Sequence, residues 1–318
     1  MSVAPVSSQP RRARVAIPSL WSLGAIAIAL VVILPIASVV WLALFPENNI
    51  WPHLISTTLP RYLKNTAILM ICVGGLAGLI GTGAAWLVAR YRFPGAGWIE
   101  WALLLPLAIP AYVGAYALVD LLEYAGPIQT ALRELMGWKN SRDYWFPEIR
   151  SLGAAVIVLA AALYPYVYLL ARTAFREQPA SAEEVAMSLG SNAFQRFWRI
   201  GLPLARPAIA AGMAIVMMET VNDFGTVEFF AVQTLTTGIF SVWLDGSNAG
   251  GAAQIATVVL VLVVFLMGLE SASRKRARFF NLSSRHRPIE RHHLTGVAAA
   301  FATLACLIPF ALGFVLPA

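Results

Sequence analysis

PSLWSLGAIAIALVVILPIASVVWLALF, residues 18–45, runs its whole length without an Asp, Glu, Lys or Arg. A helix needs about 20 apolar residues to cross the hydrocarbon core of a bilayer, so this stretch reads as a membrane span. Arg11, Arg12 and Arg14 precede it, as they would in a secretory signal. The run is far longer than the roughly 7–15 apolar residues of a signal, however, and further runs follow it. An uncleaved first span is the reading that fits.

Outward from this stretch the same pattern recurs. Spans are expected at about 66–89, 101–119, 152–171, 252–269 and 294–316, all apolar or nearly so. A further span is harder to place. Pro207 to Met218 is too short to cross, so that helix is expected to continue through Glu219 and Asp223 to about Val227, with both carboxylates at membrane depth. The total is seven spans and an all-α, polytopic helical bundle. Composition agrees: of 318 residues, 59% are hydrophobic and only 12% charged, where a soluble domain has about 25% charged. Disorder, collagen, coiled coil and an ordinary cytosolic enzyme are excluded. Cys72 and Cys306 lie inside apolar runs, so no disulfide framework is implied.

Orientation follows from the basic residues. With the N-terminus in the cytoplasm, 17 of the 23 Lys and Arg fall in cytoplasmic segments and 6 outside. The net charge of +7 is then a topology signal, and no nucleic-acid partner is needed to explain it. The expected divisions are a cytoplasmic tail (1–17), a six-span core (18–270) with a cytoplasmic loop at 176–206, a basic cytoplasmic loop (271–293) and the seventh span (294–318). The outside loop 123–150 carries Trp138, Tyr144 and Trp145, rings suited to the outer interface. Gly74 and Gly78 in the second span form a small-xxx-small step. Pro106, Pro110 and Pro165 are expected to bend their spans, where neighbours or a cavity satisfy the freed carbonyls.

The loop between the fourth and fifth spans carries the most information. It reads SAEEVAMSLGSNAFQRFWRIGLP from Ser181 to Pro203. Ser181 and Glu184 have the spacing of a capping box, and Val185, Ser188 and Leu189 give a short apolar stripe. Gly190 sits where a helix would end. A second short helix is expected with Phe194, Phe197 and Trp198 on one side, stopped by Leu202-Pro203 before the fifth span. Such a helix–Gly–helix exposes apolar and charged groups either to a soluble partner or to the lipid surface.

Glu184, Val185, Ala186, Gly190, Ile200, Leu202 and Pro203 stand at the spacings of the EAA loop, so the chain resembles the permeases of binding-protein-dependent ABC importers. The departure is Val185 for the middle alanine. The resemblance implies the type I ABC importer permease fold. It also implies that the loop couples the spans to a cytoplasmic ABC ATPase dimer, and that a periplasmic binding protein delivers the substrate. The bacterial inner membrane is the expected location. Downstream, Met218–Phe230, Val232–Phe240 and Trp243 resemble the ferric-iron importer permeases, which fuse two halves. This chain looks like the first half plus one span, so a second permease half or a homodimer is expected. Permeases for thiamine, polyamine or sulfate remain alternatives, as does a secondary transporter.

Glu219, Asn222 and Asp223 are the candidates for a translocation path. Intramembrane acids usually face a cavity or a partner, and carboxylate oxygens suit hard cations. A structural polar network would serve as well. No catalytic constellation, no cofactor motif and no phosphate-binding G-x-x-x-x-G-K-[ST] loop is present, so ATP hydrolysis is expected on another chain. The pair His292–His293 reads as part of a loop at the membrane surface.

Overall fold

The computed structural model describes residues 20–277 and 291–318. The expected tail at 1–17 and most of the basic loop at 271–293 fall outside the described residues. Its long helices are α1 (Leu20–Leu44), α3 (Leu59–Arg90), α7 (Leu152–Arg176), α10 (Leu202–Asn222), α13 (Ala249–Ala277) and α14 (Gly296–Phe310). Shorter ones are α2 (Trp51–Ser56), α4 (Ala96–Ala102), α5 (Ala111–Leu122), α6 (Pro127–Met136), α8 (Ala180–Ser188), α9 (Ala193–Arg196), α11 (Gly225–Phe229) and α12 (Leu235–Phe240). Two-residue strands β1 (Tyr91–Arg92) and β2 (His292–His293) pair in parallel, Tyr91 opposite His292.

Among the described residues six helices are long and apolar enough to cross a membrane. The expected third span is not straight. It is the pair Ala96–Ala108 and Ala111–Met136, bent by 91°. Pro106 and Pro110 explain the break, because each lacks an N–H and Pro110 keeps the residue before it out of the helical region; Ile109 is extended. Broken or not, the pair crosses. Glu100 is bound to Arg172 and Arg176 at one end of α7, and Glu123 to Arg150 just before its other end. The 25 residues of α7 separate those ends by about 37 Å.

The centre is a layer of α3, α7 and α10 packed against one another. Val73, Ala77, Ala85 and Val88 of α3 meet Leu159, Tyr164, Val167 and Phe175 of α7, with Ala205 and Val216 of α10, all buried. The closest approach is at Gly81, where an added Cβ would sit 2.8 Å from the Tyr164 carbonyl and the Tyr168 amide. Gly74 and Gly78 instead admit Met217 and Met213 of α10. A second core joins α2, α12 and α13 around Leu54, Leu235 and Ile255. At the periphery, α1 has no buried residue and leans on α13. In water such a helix would be untenable; in a bilayer lipid covers it.

The fifth span differs from its expected bounds. Leu202-Pro203 does not stop the preceding helix. A π turn, Phe197–Gly201, joins α9 to α10, making one helical run Ala193–Asn222. The wider turn carries the ring of Pro203 without breaking the helix. At its far end the helix stops at Asn222 and never reaches Val227, because Asp223 turns extended. Twenty-one residues from Leu202 to Asn222 span about 31 Å. Glu219 therefore lies in the last turn of the helix and Asp223 just beyond its end, so the two acids do not share a helix face.

Candidate functional site

The loop from Gln178 to Gly201 is built as expected in outline, with its supports elsewhere. Helix α8 starts at Ala180 on Pro179, and no side chain caps it. The expected Ser181–Glu184 box is absent, because the helix begins ahead of Ser181 and takes that residue into its first turn. At the other end Gly190 has φ +78°. Its amide reaches Met187 O, and Ser191 N reaches Ala186 O, the bonds of a glycine C-terminal motif. The capping box belongs to the next helix: Gln195 N donates to Asn192 Oδ1 at 2.8 Å, and Asn192 N to Gln195 Oε1.

The loop is latched to the bundle by charges the sequence did not single out. Glu183 is buried and paired with Arg90 at 2.8 Å, at the end of α3; Arg196 stands 3.7 Å away. Arg90 also donates to Gln178 Oε1, and Gln178 donates to Gly201 O at 2.8 Å. The end of α3, the entry to α8 and the entry to α10 thus share one network. Trp86 reinforces it, lying edge-on to Phe175 and Phe197. A Cβ on Gly201 would lie 2.5 Å from the Trp86 ring.

The other side of the loop faces outward. Of the residues singled out from sequence, Ala186 is buried, Ile200, Leu202 and Pro203 are half-buried, and Glu184, Val185 and Gly190 are exposed. Leu189, Phe194 and Trp198 join the exposed set, Leu189 at 79%. The loop therefore offers apolar and acidic groups to something outside the chain while its inner face is fixed.

Beside it lies a second charged node. Glu100 pairs with Arg172, Arg176 and Arg291, and its carbonyl accepts from Tyr168 Oη at 2.9 Å. Burial and the neighbouring Arg176 and Arg92 hold the Arg291 guanidinium below its ordinary value. Leu294 N donates to Arg92 O, so the strands, this node and the latched loop occupy one end of the bundle. At the opposite end Arg61 and Asn65 bind Gln233, Gln254 binds Asn49, and Arg150 binds Glu123 and Phe229 O. The segments between helices thus sort into two sets on alternate sides. There Trp138 stacks on Tyr144 at 4.8 Å, and Trp145 is exposed.

The path candidates separate. Glu219 and Asn222 are exposed on α10. Asp223 is engaged: it accepts from Thr226 N, Thr226 Oγ1 and Val227 N at 3.0–3.1 Å, starting α11. Thr236 Oγ1 donates to its carbonyl. Among the described residues no three His, Cys, Asp or Glu gather as metal ligands.

Residues 77–279 match the family described as binding-protein-dependent transport system inner membrane component. The chain is 28% identical over 205 residues to the Fe(3+)-transport system permease protein FbpB 2 of Haemophilus influenzae, covering 64% of this chain and 36% of that protein. It spans about a third of that relative. It is 27% identical over 246 residues to the sulfate transport system permease protein CysT of Escherichia coli, covering 76% of this chain and 86% of that one. A crystal structure of a bacterial alginate ABC transporter, in complex with an alginate pentasaccharide-bound periplasmic protein, superposes a chain on 81% of this one. The match covers 96% of that chain, with a TM-score of 0.63 at 15% identity.

Proposed function

The chain belongs to the binding-protein-dependent transport system inner membrane component family, and from that premise we propose that it is the permease of an ATP-driven importer. Its 178–203 loop receives the ATPase, and a periplasmic binding protein delivers substrate at the opposite end. The observation that carries this reading is the unbroken helical run Ala193–Asn222. It begins in the exposed loop and ends beside Glu219. A push on Phe194 or Trp198 is carried to the far side as a rigid-body movement. In this reading Glu184, Val185, Ala186 and Gly190 present the docking surface, and Ile200, Leu202 and Pro203 join it to the span. The loop end is cytoplasmic and so is the N-terminus, since loops on that side hold most of the basic residues.

Ferric iron is the proposed cargo, with sulfate as the competitor. Both have relatives among permeases similar to this chain. The exposed carboxylate of Glu219 favours a cation, because an acid on the path opposes a dianion. Glu219→Gln should lower uptake of iron at unchanged protein level; an unchanged rate removes Glu219 from the path, and raised sulfate uptake favours the competitor. The general reading is tested in cells with Gly190→Pro. Uptake should fall to background and co-purification with the ATPase should weaken, with membrane insertion intact. Normal uptake would sink the coupling role.

A further inference from the structure

A groove of about 1020 Å³ lies between α3, α7, α14 and the aromatic start of the 193–222 helix. We propose that it is a binding site for an anionic phospholipid of the inner leaflet, whose acyl chains touch the coupling loop. Leu79, Ile157, Phe301 and Ile308 line it and are nonetheless exposed, so it opens sideways toward lipid. Phe194, Phe197 and Trp198 close one end as a shelf. Tyr91 and Leu294 line the same end, next in sequence to Arg92 and His293. Amphipathic rings at such an edge mark headgroup depth.

Charge selects the headgroup. Of the arginines in the three segments that form this end, 86–94, 193–201 and 291–298, Arg90, Arg196 and Arg291 are paired with Glu183 and Glu100, so the selecting charges are the other two. Arg92 and Arg199 are exposed beside lining residues. Basic sites between spans on the cytoplasmic side attract anionic headgroups. The inner-leaflet placement rests on the orientation proposed above; the groove and its rim do not. The consequence is regulatory, because a chain seated on Phe194 and Trp198 contacts the helix that links the loop to the fifth span.

The test uses the full chain in phosphatidylcholine vesicles holding a minor fraction of phosphatidylglycerol with a photoreactive acyl chain. Labels should concentrate on peptides covering 76–91, 194–198 and 298–312 relative to α1, and unlabelled phosphatidylglycerol should displace them where phosphatidylcholine does not. Gly83 lines the groove with open space where a Cβ would go, so Gly83→Phe should fill it and reduce labelling there to the α1 level. Arg199→Ala should weaken the preference for phosphatidylglycerol about fivefold, the worth of one basic residue at the surface. Labelling equal to that of α1 would mean annular lipid only and overturn the site. Equal displacement by phosphatidylcholine would overturn the headgroup selection, and crosslinks to a second copy would replace lipid with protein. Labelling at the outer leaflet alone would reverse the orientation and leave the groove in place.

Discussion

Arg90 and Glu183 are 93 positions apart in the chain and 2.8 Å apart in the fold. Neither stands out in the sequence: Arg90 reads as a positive flank of a span, and Glu183 as the neighbour of a motif residue. Only the docking of α8 on the end of α3 makes them partners, which is why sequence reading chose Glu184 and missed them. Gly190 was legible, since a glycine between two short amphipathic patterns has a local cause, and its φ of +78° supplies it. Removing one member of a buried pair costs about 3–5 kcal/mol. Arg90→Met should fall at the low end, because Arg196 stands near the same carboxylate. Arg90→Met combined with Glu183→Leu should regain most of that stability, since no charge is then left buried alone. Thermal unfolding of the detergent-solubilised variants measures both. If the double variant is no more stable than the single one, the pair is not the latch.

At the scale of elements, the lesson lies in how prolines are read. Pro106 and Pro110 suggested a bend in the third span and produced a break, but a 91° angle depends on what α4 and α5 pack against, which no local pattern records. Pro203 suggested a stop and produced none, because a π turn ahead of it absorbs the ring. That misreading moved the whole fifth span toward its C-terminal end and ran its helix through Asp223, which instead starts α11. The continuous run from Ala193 makes a mechanical prediction. Two glycines inserted between Ile200 and Gly201 would let the docking segment turn independently of α10. ATPase binding should persist, because the exposed face of α8 is untouched, while ATP-driven uptake should fall at least about tenfold, as for other losses of precise positioning. Uptake that survives the insertion would show that force reaches the spans by another element, the Arg90–Glu183 latch being the next candidate.

For the molecule as a whole, the spans sort their connecting segments into two ends. Six of the seven expected crossings were legible from apolar length; the fifth, with only Pro207–Met218 uncharged, was not. Which end faces the cytoplasm rests on the count of basic residues alone. The bundle has polar contacts at both ends, the buried ion pairs at the loop end, and leaves large apolar faces at its rim. Trp21 and Val31 of α1 are exposed, as are Val297, Phe301 and Leu304 of α14. Among the described residues one helix–Gly–helix loop, 180–201, faces outward in the manner of a docking site. An importer driven by a pair of ATPase subunits, as the resemblance implies, needs one such loop for each subunit. The chain reconstituted in vesicles with only the ATPase and the binding protein is therefore predicted to show no ATP-driven uptake above background. Adding a permease that carries a second EAA loop should restore it. The measurement is substrate accumulated per vesicle with ATP against a non-hydrolysable analogue. Accumulation from the chain alone would mean that two copies pair, each offering its own loop, and the requirement for a second permease would fall.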